Sequence, residues 1–381
     1  MRTPIALLCA AIVAVGTAAC GSDSTPRSPS AGPAASTGST DSVSVTTLIS
    51  DLDHPWDVVI DPAGTIVTDE RGGRIMARFA DGRVAQVRAD LPDLQARGEG
   101  GLMGMALARD FATTRSVYTC FASTEGDVRV VRWTAAADWS AMTRADNVLI
   151  GIPLNPSGRH SGCRILPAPD GTLYVATGDT ADPIAPQSLS NLGGKILHVD
   201  SRGAGVPGNI GDTAIHSLGH RNPQGMAFAP GTDRLYTSEH GPTIDDEINL
   251  EVPQGNYGWD PDTAAAGYDE DVPMTDTDRH PGSIPAVWSS GRPTLAVADI
   301  DFLGPQWGPR AGMAVVATLK ASRLMLLRLR PDGRSTTERV DLLAGVHGRL
   351  RSITTAPDGA LLVTTDNGDK TDSILRVAPR S

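Results

Sequence analysis

One short phrase, a turn followed by an apolar run, recurs along the chain and limits what it can fold into. Copies with the pattern Pro-(Ala/Asp)-Gly begin at Pro62, Pro169 and Pro357, and a looser copy begins at Pro230. Each copy predicts a tight turn that leads into a β-strand. A second apolar run follows each of them after a few polar residues, as in 195–199. The chain therefore reads as a repeated unit of turn, strand, turn and strand.

This repeat predicts an all-β fold, namely a six-bladed β-propeller of four-stranded antiparallel blades. Blades of ~40 to 55 residues fit six to eight times into residues 45–381, and we expect six. Amphipathic helical patterns are scarce, and only 138–145 is predicted to form a short helix. We also expect short loops between the blades.

The charge balance restricts the partners. The formal net charge is −11, so the basic surface that nucleic acid requires is missing and we expect no nucleic-acid partner. Lysine is rare, because only Lys195, Lys320 and Lys370 stand among 33 basic residues. Lys320 is therefore either a position that requires a compact charge or an ordinary surface residue.

The N-terminus predicts export. Residues 1–19 have the basic start, apolar run and small residues of a secretory signal. Cys20 follows directly, as in a bacterial lipobox, and residues 20–44 have the composition of a flexible linker. We expect Cys20 to be lipidated and to anchor the folded part, residues 45–381, at the outer face of the cell membrane. The alternative is a plain signal peptide with an incidental cysteine.

Two cysteines, Cys120 and Cys163, remain in the exported part. An oxidising compartment permits a disulfide between them. Two buried free thiols are the alternative, because the sequence does not give their separation.

Several polar segments lie where loops of a propeller would expose them. Arg221 and Asn222 form a turn before a predicted strand, where a guanidinium can bind an anion. The segment 238–249 carries four carboxylates, and the backbone carbonyls of Gly241 and Pro242 could face inward beside them. Oxygen donors at this density suit Ca²⁺. An ordinary exposed loop and a solvated acidic loop are the respective alternatives.

Two further segments add a base and cations. His160 lies before the strand that begins after Pro169, and its side chain has the ordinary pKa of a general base, although a lone histidine can also be structural. Arg349 and Arg351 are spaced so that their side chains lie on one face of an extended segment. Two parallel cations favour an anionic ligand.

These segments, in this order, resemble the soluble pyrroloquinoline quinone (PQQ)-dependent glucose and aldose sugar dehydrogenase family, and within it the actinobacterial lipoprotein branch. The segments that carry the resemblance are Leu52-Asp53-His54-Pro55-Trp56, 98–107, 157–165, Gly178-Asp179, 192–197, Arg221-Asn222, 241–249, Asn256-Tyr257-Gly258-Trp259, Lys320 and Arg349-Leu350-Arg351.

The resemblance implies a six-bladed propeller that oxidises an aldose at C1 to the lactone and passes the electrons to an external acceptor. His160 would take the C1 hydroxyl proton while hydride moves to the quinone. The cofactor-binding residues implied are Glu99, Arg221, Asn222, Lys320, Arg349 and Arg351. Gly241 and Pro242 would hold the Ca²⁺ beside the quinone, and Glu247 and Tyr257 match a second, structural Ca²⁺ site.

Two residues depart from the glucose enzymes of that family. Glu99 stands where those enzymes have Gln, and Arg159 replaces an acidic residue beside the base. Two other functions therefore stay open. One is an inactive cell-surface propeller that acts as a binding module, and the other is a calcium-dependent lactonase, which would need no quinone.

Overall fold

The computed structural model describes residues 35–37, 42–264 and 267–380. Strands dominate these ranges. The helical segments that lie wholly inside them are a single α-helical turn, Phe111–Thr114, and a 3-10 helix, Pro305–Arg310. The prediction of an all-β fold is confirmed.

The strands are numbered in chain order. The first fourteen are β1 (Ala35–Thr37), β2 (Val43–Leu52), β3 (Pro55–Ile60), β4 (Ile66–Glu70), β5 (Ile75–Arg78), β6 (Val84–Ala89), β7 (Leu102–Leu107), β8 (Ser116–Ala122), β9 (Asp127–Ala135), β10 (Ala141–Pro153), β11 (Arg164–Pro167), β12 (Leu173–Thr177), β13 (Lys195–Val199) and β14 (Ile215–Leu218). The others are β15 (Pro223–Phe228), β16 (Leu235–Glu239), β17 (Glu247–Leu250), β18 (Asp262–Thr263), β19 (Gly267–Tyr268), β20 (Trp288–Ser289), β21 (Val297–Phe302), β22 (Ala314–Thr318), β23 (Arg323–Leu329), β24 (Thr336–Leu342), β25 (Leu350–Thr355), β26 (Leu361–Thr365) and β27 (Asp372–Pro379).

Consecutive strands pair as antiparallel meanders. Strands β3–β6 and β7–β10 form two such meanders, which a short parallel pairing of β6 with β10 joins into one eight-stranded sheet. Four-stranded sheets follow from β11–β14 and from β15, β16, β17 and β20. The next sheet contains β21–β24 with β1 at its edge, and the last has the order β2-β27-β26-β25.

The first strands of these units form a closed ring. Strands β3, β7, β11, β15, β21 and β25 contact one another in that order, and β25 contacts β3. The chain closes the ring through β2, which pairs antiparallel with the last strand, β27, from Val43 opposite Pro379 to Leu52 opposite Asp372. One hydrophobic cluster fills the space between two neighbouring sheets, where it contains Val130 of β9 and Val175 of β12.

The recurring phrase forms the turns that the sequence predicts. Gly64, Gly171, Gly231 and Gly359 all have positive φ angles, which glycine adopts without steric cost. Each turn leads into the second strand of its unit, namely β4, β12, β16 and β26. This local prediction is confirmed.

One local expectation is wrong. Residues 138–145 do not form a helix, because the turn around Trp139, whose φ is +55°, leads into β10 at Ala141. Pairing of β10 with β9 outweighs the weak helical pattern of the segment. Within one four-stranded sheet, 37 residues, 251–287, separate β17 from β20 and contain the hairpin β18–β19.

A buried ionic cluster links four of the ring strands. Arg164 on β11 lies 2.6 Å from Asp57 on β3 and 3.2 Å from Asp299 on β21. The hydroxyl of Ser352 on β25 lies 2.8 Å from Asp57 and 3.1 Å from Asp299. All four side chains are buried. These contacts therefore join β3, β11, β21 and β25 through buried polar side chains.

Candidate active site

His160 and Asp179 form a buried pair at the end of the sheet where β11 begins and β12 ends. His160 precedes β11, and Asp179 follows β12, so the antiparallel pairing of these strands brings the two residues to the same end of the sheet. Nδ1 of His160 lies 2.7 Å from Oδ1 of Asp179. The other carboxylate oxygen accepts hydrogen bonds from Trp259 Nε1 at 2.8 Å and from the Tyr268 hydroxyl at 2.7 Å.

These contacts influence the pKa of Asp179. Burial alone would raise the pKa of Asp179, but the hydrogen bonds from His160 and Tyr268 and the nearby charge of Arg221 hold that pKa below its usual value. An ionised Asp179 can only accept, so Nδ1 of His160 is the donor in this contact and Nε2 is the ring nitrogen left for other partners. Among the hydrogen bonds of the described residues, none uses Nε2. His160 is thus arranged to accept a proton at Nε2.

Arg221 and Asn222 lie in the turn before β15 and reach this pair. Arg221 is 5% exposed, donates to the carbonyl of His240 at 3.0 Å and pairs with Glu270 at 2.6 Å. Its Nε is buried and has no hydrogen-bond partner within the described ranges. Asn222 donates to Glu99 at 3.0 Å. The structure therefore places Arg221, Asn222 and Glu99 beside the loop that carries His160.

Arg349 and Arg351 also converge, at the start of β25. Both contact the same oxygen of Asp366, at 3.3 Å and 2.9 Å respectively. Arg351 is buried and donates to Gln224 at 3.0 Å, whereas Arg349 is exposed. The pKa of the Arg71 guanidinium is lowered, first by burial and further by the charges of Arg351 and Arg349. Arg71 therefore lies near both of these guanidinium groups. The predicted pair thus belongs to a group of three cations.

His240 connects this cation group with the base. Burial, followed by the charges of Arg221, Arg351, His160 and Arg349, lowers the pKa of His240 to about 3. Its Nε2 is buried and without a hydrogen-bond partner in the part of the chain that the structure describes. A neutral histidine with a free ring nitrogen therefore lies near both the cations and the base.

Gly241 and Pro242 follow His240 directly. The amide of Gly241 donates to Asp246 at 2.9 Å, and the other oxygen of Asp246 accepts the amide of Ala296 at 2.7 Å. Burial raises the pKa of Asp246 to about 6. Lys320 is exposed and donates to Thr294 at 3.1 Å, and no hydrogen bond or ion pair among the described residues joins it to the arginines.

Glu247 and Tyr257 are both buried, but their side chains use different partners. Glu247 lies opposite Glu239 in the pairing of β17 with β16, and burial together with the Glu239 charge raises its pKa well above the usual value. The Tyr257 hydroxyl donates to the carbonyl of Leu250 at 2.6 Å. Asn249 donates to both glutamates, while its Oδ1 is buried and unpartnered within the described ranges.

The residues present fit an anionic ligand and a hard cation. The buried Nε atoms of Arg221 and Arg351 lack a hydrogen-bond partner among the described residues, which is costly unless a ligand atom accepts from them. The oxygens of Glu239, Glu247 and Asn249 repel one another unless a cation or a proton compensates their charge. No group of three or more His, Cys, Asp or Glu side chains in the described ranges has the geometry of a metal site. A cation site here consequently depends on carbonyl and amide oxygens as well.

Sequence reasoning missed two residues of this region. Tyr268 and Glu270 come from the long connection between β17 and β20, and no local pattern marked them. Trp259, from the same connection, belongs to a segment that carries the resemblance. Glu270 also pairs with Arg159 at 2.7 Å. The positive charge that Arg159 introduces beside His160 therefore faces a carboxylate. The length of the connection was the one available signal.

Cys120 and Cys163 form a disulfide. It joins β8 to the residue that precedes β11, three positions after His160. Cys20 and the rest of residues 1–34 lie outside the described residues. Across the described ranges, no helix has the length and apolarity needed to cross a bilayer.

Comparisons with known proteins point in one direction. The profile of the family described as Glucose / Sorbosone dehydrogenase matches residues 52–376. The aldose sugar dehydrogenase YliI of Escherichia coli (strain K12) is 30% identical over 356 residues, which is 89% of this chain and 94% of that protein. The PQQ-bound aldose sugar dehydrogenase of Streptomyces coelicolor is 30% identical, with a TM-score of 0.74 over 89% of this chain and 98% of that structure. The apo-form of the soluble aldose sugar dehydrogenase of Escherichia coli is 29% identical, with a TM-score of 0.78 over 89% and 100%.

Proposed function

Because the chain belongs to the glucose/sorbosone dehydrogenase family, a family of oxidoreductases, we propose that it oxidises an aldose sugar at C1 to the lactone with PQQ and Ca²⁺ as cofactors. One observation carries the proposal. A histidine base, held at Nδ1 by Asp179, lies near the buried guanidinium groups of Arg221 and Arg351, whose Nε atoms have no hydrogen-bond partner among the described residues. The related enzyme of Streptomyces coelicolor, which was solved in a PQQ-bound form, supports the choice of cofactor.

The residues of this chain divide the work between a base and a set of cations. His160 takes the proton of the sugar C1 hydroxyl at Nε2, and Asp179 stabilises the imidazolium that forms. Arg221, Arg349 and Arg351 attract the carboxylates of PQQ. When bound, PQQ supplies the acceptor for the hydride that leaves C1, and Ca²⁺ supplies a Lewis acid that polarises the acceptor carbonyl.

Other residues complete the two cofactor sites. Asn222, Glu99 and Lys320 are assigned to the edge of the PQQ site. The carbonyls of Gly241 and Pro242 would hold the Ca²⁺ beside PQQ. Glu247, together with the backbone at Tyr257, would hold a second, structural Ca²⁺, which the unpartnered Oδ1 of Asn249 and the buried charge of Glu239 favour.

The architecture proposed is a six-bladed β-propeller of four-stranded blades that spans residues 45–381. The ring of first strands and the pairing of β2 with β27 support it. We further propose that residues 1–19 are a lipoprotein-type signal, that Cys20 carries the lipid and that residues 20–44 are the linker. The domain would then act at the outer face of the membrane and pass electrons to an external acceptor.

The activity is tested with the chain produced without its signal segment, titrated with PQQ and Ca²⁺ and assayed with aldoses and an artificial dye. Dye reduction that requires both cofactors is the expected result. His160→Ala should abolish it, whereas His280→Ala, which removes a histidine paired with Asp260 outside the site, should not. Failure to bind PQQ at micromolar concentration would refute the proposed enzymatic activity and favour a surface binding module. Lactone hydrolysis without quinone would instead identify a lactonase.

The anchor is tested separately. Metabolic labelling with a lipid precursor should mark the wild-type chain and leave a Cys20→Ala variant unlabelled. Equal labelling of the two would contradict the lipid anchor without affecting the enzymatic proposal.

A further inference from the structure

The hairpin β18–β19 places a tyrosine against the catalytic pair. The hairpin lies in the long connection 251–287, and its second strand ends at Tyr268. The Tyr268 hydroxyl lies 2.7 Å from Oδ2 of Asp179 and 3.2 Å from Nδ1 of His160. Tyr268 is thus separated from His160 by 108 positions in the chain and yet touches both members of the pair.

The single phenol proton has one acceptor here. The Nδ1–H of His160 is directed to Oδ1 of Asp179 at 2.7 Å, so Nδ1 cannot accept a hydrogen bond from Tyr268. The phenol therefore donates to Oδ2, where Trp259 also donates at 2.8 Å. Burial and the Asp179 charge raise the pKa of Tyr268, which keeps the donor protonated.

We propose that Tyr268 is a positioning residue for the base: it fixes the Asp179 carboxylate and thereby orients His160 and sets its basicity. The inference rests on the proposed function to the extent that His160 is the base. The phenol acts through Asp179 and is not assigned a contact with the sugar.

Other charged groups also face the pair. Lys195 and Arg221 face Asp179, and Arg159 lies over the Tyr268 ring with 5.3 Å between its guanidinium carbon and the ring centre. His240 is close to His160. A Tyr268→Phe variant leaves these groups in place and removes one donor from Oδ2. The carboxylate charge then concentrates on Oδ1, which favours the protonated imidazole.

The variant should therefore change the pH dependence as well as the rate. We expect kcat to fall about ten-fold, as for the loss of one hydrogen bond to a charged group. The acidic limb of the kcat/KM pH profile should move to higher pH by roughly half a unit, because the stabilised imidazolium of His160 loses its proton only at higher pH. KM for the sugar should change little.

Tyr236→Phe is the matched control. It also removes a buried tyrosine hydroxyl, one that donates to the Gly333 carbonyl at 2.9 Å away from the site. It should change stability and leave both kcat and the pH profile as in wild type. A Tyr268→Phe enzyme with the wild-type pH profile and rate would overturn the proposal.

A second measurement does not depend on turnover. NMR titration of the histidine side chains in the protein without cofactor should show the His160 midpoint at higher pH in Tyr268→Phe than in wild type. An unchanged midpoint would refute the positioning role. If the wild type binds no PQQ, the proposed function fails, while this titration still decides whether Tyr268 acts on His160 through Asp179.

Discussion

Reduction of the Cys120–Cys163 disulfide should destabilise the fold by an amount that the chain itself predicts. The two cysteines are fully buried and 43 positions apart. They connect β8 to the start of β11, so the bond joins two neighbouring sheets beside His160. Breaking it leaves the native contacts of the sulfurs largely in place and mainly frees the unfolded chain.

The chain-entropy relation gives the size of the effect. Closing a loop between two positions that are 43 apart lowers the entropy of the unfolded chain by about 13 cal/mol/K. At 25 °C this corresponds to about 4 kcal/mol of stability. Such a loss is a large fraction of the total stability of an ordinary domain.

Equilibrium urea unfolding of oxidised and fully reduced wild type measures this difference. Thiol counting on each sample establishes the redox state. A Cys120→Ala/Cys163→Ala variant is the control, since its unfolding should not respond to the reductant. Reduced wild type whose unfolding free energy lies within about 1 kcal/mol of the oxidised form would refute the reasoning.

Three further predictions concern the ring, the acid stability and the cofactor site. Arg164→Met should lower the unfolding free energy at pH 7 by about 3 to 5 kcal/mol, because Asp57 and Asp299 stay buried without their cation. A loss below about 1 kcal/mol in urea unfolding would contradict this prediction. Burial, reinforced by His198 and His220, lowers the pKa of His216 to about 4. Between pH 6.5 and 4 the unfolded chain therefore binds a proton that the native chain does not. The unfolding free energy falls as the pH falls through that window. His216→Phe should remove about 3 kcal/mol of the difference between unfolding free energies at pH 7 and pH 4, and an unchanged difference would count against it. Glu99→Gln should bind PQQ roughly ten-fold more tightly than wild type, since it removes a negative charge and keeps an acceptor for Asn222; Glu125→Gln, on an exposed turn, should bind as wild type does in the same fluorescence titration.

Much of the fold was predictable because its signals are local. A Pro-Asp-Gly turn depends on the φ angles of three adjacent residues, so Gly171 and Gly359 mark the starts of β12 and β26 without knowledge of the rest of the chain. The weak helical pattern of 138–145 failed for the complementary reason. A pattern of few residues loses to the pairing energy of a long strand such as β10.

The residue types of the candidate site were also readable in advance. His160, Arg221 and Arg351 stand in short segments whose composition indicates a base and anion-binding cations, and the structure brings these three near His240. The placement of Lys320 and the separate partners of Glu247 and Tyr257 were not readable, because they depend on distances that only the folded chain sets.

The sequence by itself therefore determined the strand-rich repeat, the kinds of side chain at the ends of the strands and the family to which the chain belongs. Only the tertiary structure decided which of those side chains meet. The closed ring brings Tyr268 to Asp179, Glu270 to both Arg159 and Arg221, and Cys120 to Cys163. These contacts join residues far apart in the chain, and their distances follow from the packing of whole sheets around the ring, which no local pattern encodes.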